Sequence, residues 1–251
     1  MPRINYRESA LHAGDRNPDW FRERPQIPYV LPFLGYLIFM VPAALGHLGG
    51  IDWESFSRDY FPILYAGKSV TAAILLWVFW NYYTPIRWSR IPLGVAAGLF
   101  GSVLWIGTEY FCQHFGLAHP PDPQSFYNPD LLLGQQWQRL TYLCIRIVGP
   151  TLVVPVMEEL FFRDFLMRAL ITGGQFEDVP VGSFTWPSLL IMSALFGINH
   201  GHQWPEGVLY GLLMGLLLIR TKSLGACIVA HGVTNLTLYL YVVYTGDWQF
   251  M

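Results

Sequence analysis

The sequence predicts an all-α fold, a polytopic bundle of about seven or eight transmembrane helices with a cavity between them. Two observations predict this class. The chain of 251 residues is 53% hydrophobic and only 13% charged, about half the charged fraction of an ordinary soluble domain. Several apolar stretches also approach or exceed the roughly 20 residues needed to cross a bilayer. The class therefore follows from composition and from the length of the apolar runs.

The N-terminal residues 1–28 are predicted to form a polar arm, and residues 29–251 the membrane domain. The arm mixes both charges and lacks the apolar core of a signal peptide, so no cleavable leader is expected. The net charge of −2 suggests no nucleic-acid partner. The 3 cysteines are far apart in the sequence, which argues against a disulfide framework and against a cysteine zinc site.

The apolar runs place the individual spans. They predict spans near 29–48, 61–83 and 91–112, a long helical region at 138–171, and spans near 187–200, 206–220 and 224–245. Loops rich in Pro and Gly are expected on both sides of the long region, and Pro187 suits the first turn of the helix that follows. The Arg and Lys residues in the loops favour a cytoplasmic N-terminus with about seven crossings.

The region 138–171 is too long for one straight crossing. Its 34 residues would extend about 51 Å, whereas the hydrocarbon core is roughly 30 Å thick. Pro150 and Pro155 both lie inside it, and proline kinks or breaks a helix. We expect either one crossing with a bent or interfacial piece, or two short crossings.

A cluster of charge, PVMEELFFRDF, interrupts this apolar region. A charged side chain at mid-membrane costs about 2.5–3.5 kcal/mol on insertion scales, so it normally faces a partner or a cavity. Glu159 and Arg163 have the i,i+4 spacing of a helical ion pair, and Asp164 and Arg168 repeat that spacing. Glu158 then lacks a local partner, and we expect it to face whatever the fold places opposite.

Two further polar clusters interrupt apolar helices. Phe196 and His200 stand in FGINH, one turn apart, and His231 and Asn235 stand in HGVTN at i,i+4. A carboxylate, two imidazoles and a carboxamide from three helices suit hydrolysis. The carboxylate and one imidazole can activate a water, and the remaining pair can donate hydrogen bonds to an oxyanion.

Each of these residues also has a purely structural interpretation. The Glu–Arg pair can simply neutralise itself, and a membrane histidine is commonly a helix–helix hydrogen bond. His202 can cap the end of a helix, and Glu206 suits the first turn of the next. The presence of three clusters, each in an apolar helix, nevertheless favours a catalytic site.

The three clusters resemble the motifs of the CPBP family, the CAAX-protease and bacteriocin-processing intramembrane proteases. The family pattern EExxxR, FxxxH and HxxxN stands here, in order, as EELFFR, FGINH and HGVTN. The resemblance covers roughly residues 140–245 and points to the CAAX-protease-related bacterial branch. One departure is Asp164, which stands where the family often has glycine.

The resemblance implies a glutamate-dependent protease without a cofactor, in a bacterial inner membrane. Its partners would be the lipid bilayer and a membrane-anchored protein or peptide substrate. The roles that it implies are water activation by Glu158, water positioning by His200, an oxyanion site, and structural support. The oxyanion site would be His231 and Asn235, and the support Glu159, Arg163 and Phe196.

Three alternatives belong to other classes. Glu158, His200 and His231 could bind a divalent metal in an open zinc site, although the sequence lacks HExxH. The protein could also be a non-catalytic scaffold or immunity protein, but every motif position is filled. A transporter would also carry ionisable residues within its helices, but neither an inverted repeat nor paired broken helices are visible.

Overall fold

The computed structural model describes residues 19–45, 60–117, 127–173 and 175–250. Within these ranges the chain forms helices and connecting loops, without a strand. The main helices in chain order are α1 (Ile27–Leu37), α2 (Phe61–Val78), α3 (Ile91–His114), α4 (Gln136–Ala169), α5 (Trp186–Ile198), α6 (Trp204–Thr221) and α7 (Leu224–Thr245). The predicted all-α bundle is therefore confirmed.

The ends of the helices lie close to the predicted span boundaries. A 3₁₀ turn, Ile38–Met40, and a short helix, Val41–Leu45, continue the first span. Pro187 lies in the first turn of α5, as predicted, and Thr185 and Ser188 form a capping box there. Several predicted positions lie outside the described residues, namely 1–18 of the arm, 46–48 of the first span and 118–126 of the first loop.

Four of the helices are long and apolar enough to cross a membrane: α2, α3, α4 and α7. The stretch Ile27–Met40 and α5 are shorter apolar helices. The predicted span α6 is less hydropathic, because it begins with WPEG and contains Arg220. These helices support an integral membrane protein, and the number of crossings stays a prediction.

The long region is one continuous helix with two widened turns. π-helical segments occupy Gly149–Val153 and Glu159–Leu166 of α4. The alternative of two short crossings is therefore wrong, since the helix passes through both prolines. A π turn bonds over five residues, and the Asn235 side chain donates a hydrogen bond of 2.8 Å to the Pro150 carbonyl. The cost of the prolines is thus reduced by a wider turn and by a donor from α7.

Close packing through glycine positions the motif helices. Gly94 and Gly98 of α3 lie against the backbone of α7, where an added Cβ would come within 2.5 Å of the carbonyl oxygens of Ala226 and Ala230. This is the small-residue contact that lets membrane helices approach closely. Thr234 strengthens it by donating a hydrogen bond of 2.8 Å to the Gly98 carbonyl.

The Asp164–Arg168 pair fastens the end of α4. Arg168 Nη1 lies 2.5 Å from Asp164 Oδ1, and both side chains are buried. The same guanidinium donates to the carbonyl oxygens of Glu177 at 3.1 Å and Val179 at 2.6 Å. The predicted pair therefore also holds the loop between α4 and α5.

Candidate active site

The three motifs meet at one cavity of about 270 Å³ inside the bundle. Glu158 reaches it from α4, His200 from the turn after α5, and His231 and Asn235 from α7. Phe196 also lies in the lining. The structure therefore brings together the four residues predicted to be catalytic, and their roles in catalysis stay a prediction.

Glu158 lines the cavity with a carboxylate oxygen that has no close partner. Its side chain is buried, and its Oε2 atom makes no hydrogen bond to any described residue. The nearest basic atom recorded is His231 Nε2, 3.8 Å from Oε2. A buried carboxylate oxygen that points to a cavity without a donor is free to accept a hydrogen bond from a water or a substrate.

One carboxylate oxygen of Glu159 contacts two basic side chains. Its Oε1 atom lies 3.2 Å from Arg163 Nη1, the predicted i,i+4 pair, and 2.8 Å from His231 Nδ1. An ionised carboxylate only accepts hydrogen bonds, so Nδ1 of His231 carries the proton. The Nε2 atom of that ring is then left for Glu158 and the cavity. The contact between Glu159 and His231 was not predicted, since nothing local signals it.

Arg163 is stabilised by a ring as well as by its carboxylate. Its Cζ atom lies 4.2 Å from the ring centroid of Phe196, within the range of a cation–π interaction. Phe196 also packs against the His200 imidazole, with the ring centroids 4.6 Å apart. The phenylalanine of the second motif therefore links the buried ion pair to the cavity histidine.

His200 is fixed by the end of α5. Its Nδ1 atom lies 2.7 Å from the Phe196 carbonyl oxygen, and because a carbonyl only accepts, Nδ1 is the protonated nitrogen. Nε2 is then an acceptor, suited to a hydrogen from water. Gly201 follows with φ of 61°, a left-handed conformation that glycine adopts readily and that turns the chain out of the helix.

Asn235 lines the cavity, and its side-chain nitrogen already makes one hydrogen bond within the protein. Its Nδ2 atom donates a hydrogen bond to the Pro150 carbonyl. A carboxamide nitrogen carries two hydrogens, so one N–H stays available to a ligand. The bond to Pro150 also connects the position of this group to the helix that carries Glu158.

Sequence reasoning missed two cations in the same cavity, Lys68 of α2 and Arg146 of α4. Both belong to apolar helices, and an intramembrane ionisable residue is a signal for a functional site. Neither has an oppositely charged residue three or four positions away on its own helix, which is why the pattern did not single them out.

The donor set of the zinc alternative does not fit a metal site. Within the ranges that the structure describes, no group of three or more His, Cys, Asp or Glu side chains could hold a metal ion. That the protein works without a metal cofactor stays a prediction.

The comparison with protein families identifies the motif-bearing part of the chain. Residues 139–237 match the family model "Type II CAAX prenyl endopeptidase Rce1-like", a range that contains all three motifs. No curated protein and no solved structure matches the chain. Together with the candidate membrane spans, the match supports a membrane-embedded protease that acts on peptides. The resemblance to the CPBP family is therefore confirmed by an Rce1-like match over residues 139–237.

Proposed function

We propose that the protein is a glutamate-dependent intramembrane endopeptidase that hydrolyses a peptide bond of a membrane-anchored protein or peptide. The observation that carries the proposal is the unpartnered carboxylate oxygen of Glu158 in a cavity that His200, His231 and Asn235 also line. The Rce1-like match supports the general activity, that of a protease. The assignment of the chemistry to Glu158 is ours.

In the proposed reaction a water lies between the Glu158 carboxylate and Nε2 of His200. Glu158 takes a proton from the water while the water oxygen bonds to the carbonyl carbon of the scissile peptide. The electron pair of the carbonyl π bond moves to its oxygen. When the tetrahedral intermediate collapses, the C–N bond breaks and the amine leaves with the proton that Glu158 held. The glutamate is then a carboxylate again.

The oxyanion would be stabilised from α7. Asn235 can donate its second N–H, and His231 can donate from Nε2 when its ring is protonated, since Nδ1 donates to Glu159. Glu159 and Arg163 are positioning residues in this scheme. The carboxylate orients the imidazole through Nδ1, and the guanidinium balances the charge of that carboxylate.

The scheme needs no cofactor, because the four side chains supply a base, a water-binding group and oxyanion donors. The cavity lies between candidate membrane helices, which suits a substrate that is itself held at the membrane. We also propose the bacterial inner membrane as the location, on the strength of the family branch that the motifs resemble.

The test is the Glu158→Gln variant of the full-length protein in lipid nanodiscs. The substrates are a fluorescence-quenched peptide that ends in a prenylated CAAX sequence and the same peptide without the prenyl group. We expect kcat to fall roughly 10²- to 10⁴-fold with an unchanged melting temperature. Glu23→Gln is the control, since Glu23 is exposed and pairs only with Arg24 among the recorded ion pairs. Wild-type kcat in Glu158→Gln would show that the proposed base is wrong.

A further inference from the structure

Two cations and three tyrosine rings form a separate wall of the cavity that contains Glu158. This basic aromatic wall consists of Tyr36, Tyr65, Lys68, Arg146 and Tyr239. Lys68 Nζ lies 4.5 Å from the ring centroid of Tyr36 and 4.2 Å from that of Tyr65. Arg146 Cζ lies 4.2 Å from the Tyr65 ring and 5.7 Å from the Tyr239 ring. The rings hold both cations in place without neutralising them.

Neither cation has a carboxylate partner in the part of the chain that the structure describes. No carboxylate oxygen of the described residues lies within 4.0 Å of a side-chain nitrogen of Lys68 or Arg146. The Arg146 side chain is 8% exposed, and its buried Nε atom has no hydrogen-bond partner there. An unpaired buried charge is unfavourable in an apolar bundle, so a function that uses this charge is the economical explanation.

The charge of the cavity specifies what it can receive. Apart from histidine and tyrosine, its ionisable lining residues are Glu158, Lys68 and Arg146. With these three groups ionised and the histidines neutral, one positive charge is in surplus. A group with a single negative charge balances this surplus, whereas a doubly charged phosphate would exceed it. Guanidinium and ammonium groups are both strong donors to a carboxylate.

We propose that the basic aromatic wall binds a carboxylate of the peptide substrate and thereby sets which peptide bond reaches Glu158. This inference rests on the proposed endopeptidase function and adds a recognition element to it. The carboxylate belongs either to the C-terminus of the substrate or to an Asp or Glu side chain near the scissile bond. Lys68 and Arg146 are then specificity-determining residues outside the three motifs.

Kinetics on three matched quenched peptides test the proposal in the full-length protein in nanodiscs. One peptide has a free C-terminal carboxylate, one ends in an amide, and one ends in an amide but carries an Asp near the cleavage position. We expect the wild type to prefer one carboxylate peptide over the plain amide by roughly 10- to 100-fold in kcat/KM, mainly through KM. The preferred peptide identifies the source of the carboxylate.

Substitutions of the wall should remove that preference selectively. In Lys68→Met and Arg146→Gln, KM should rise for the preferred peptide and stay unchanged for the plain amide, while Arg146→Lys should retain part of the preference. Arg139→Gln is the matched control, because Arg139 belongs to the same helix but pairs with Asp130 and does not line the cavity. A wild type that cleaves all three peptides equally would overturn the proposal. An equal loss of kcat/KM on all three peptides in the variants would also overturn it, since such a loss indicates a structural role.

A binding measurement separates this proposal from the proposed function. Fluorescence anisotropy would compare labelled carboxylate and amide peptides on the Glu158→Gln variant, with and without Arg146→Gln. Carboxylate-selective binding that disappears in the double variant supports the wall even if no peptide is cleaved by the wild type. In that case the endopeptidase function fails and the anion site stands. Equal binding of carboxylate and amide peptides overturns the proposed role of the basic aromatic wall and leaves the endopeptidase function unaffected.

Discussion

Glu159 Oε1 lies 2.8 Å from His231 Nδ1, a contact that joins residues 72 positions apart in the chain. The same oxygen lies 3.2 Å from Arg163 Nη1. One carboxylate therefore holds a candidate oxyanion donor and closes a buried ion pair, while its neighbour Glu158 faces the cavity. The two adjacent glutamates are expected to differ in what their loss costs the protein.

Glu159→Gln should reduce stability far more than Glu158→Gln. Breaking a buried ion pair on one side costs about 3–5 kcal/mol, because Arg163 loses the carboxylate that balances its charge and the Nδ1–H of His231 loses its anionic acceptor. Thermal unfolding in detergent, followed by tryptophan fluorescence, should show a lower Tm for Glu159→Gln alone. Equal Tm values for the two variants would contradict this division of roles.

Asp164→Asn provides a matched control for that experiment. Asp164 forms a second buried i,i+4 pair in the same helix, with Arg168, but does not line the cavity. We expect a lower Tm and a normal kcat for the molecules that remain folded. We expect Glu159→Gln to lower kcat as well, since Glu159 orients His231. An equal loss of kcat in Asp164→Asn would instead indicate a general disturbance of α4.

Asn235→Ala should lower kcat with little change in KM. Removal of one oxyanion donor costs roughly 10²- to 10³-fold in kcat, and stability should also fall by about 1–3 kcal/mol because the Pro150 carbonyl loses its donor. Steady-state kinetics and thermal unfolding measure the two effects. Asn199→Ala is the control, since Asn199 also lines the cavity but belongs to no proposed role. A kcat for Asn235→Ala within twofold of that control would remove Asn235 from the oxyanion site.

Gly98→Ala should displace α7 and with it His231. An added Cβ would come within 2.5 Å of the Ala230 carbonyl, so α3 and α7 would have to separate. Gly107→Ala in the same helix is the control, because its Cβ would meet no atom within 4 Å. Alanine is favoured over glycine in a helix by about 1 kcal/mol, so Gly107→Ala should be neutral or stabilising. The Tm and kcat should fall only for Gly98→Ala. Equal Tm and kcat values for the two variants would argue against close packing between α3 and α7.

Strong chelators should leave the activity unchanged. The proposed scheme uses only protein side chains, and within the described ranges no group of three or more His, Cys, Asp or Glu side chains could hold a metal ion. Purified protein treated with 1,10-phenanthroline or EDTA and then desalted should retain its kcat on the quenched CAAX peptide. Loss of activity that returns with added Zn²⁺ would favour the metalloprotease alternative.

The spans could be predicted because they depend on local hydrophobicity and on breakers. The last span, predicted at 224–245, is Leu224–Thr245 in the structure. The continuity of α4 could not be predicted in the same way. Whether a proline ends a helix depends on the partner that its freed carbonyls find, and here that partner is Asn235 from another helix.

In the candidate site, too, contacts within one helix could be predicted and contacts between helices could not. The pair Glu159–Arg163 could be predicted from i,i+4 spacing, because both residues lie on one helix. The contact of Glu159 with His231, and the approach of Lys68 and Arg146 to the cavity, join separate helices. Such contacts depend on how helices pack, for example at Gly98, which periodicity within one helix does not encode.

The widened turn of α4 also sets the angular register of its cavity-lining side chains. Four of them stand at intervals of four: Arg146, Pro150, Val154 and Glu158. In a regular α-helix each such step overshoots a full turn by about 40°, so Glu158 would point about 120° away from Arg146. The π turn at Gly149–Val153 takes up one additional residue, which rotates the following residues back by roughly 100°. A single extra residue in the helix thus places the candidate base and a candidate substrate-binding cation on the same side.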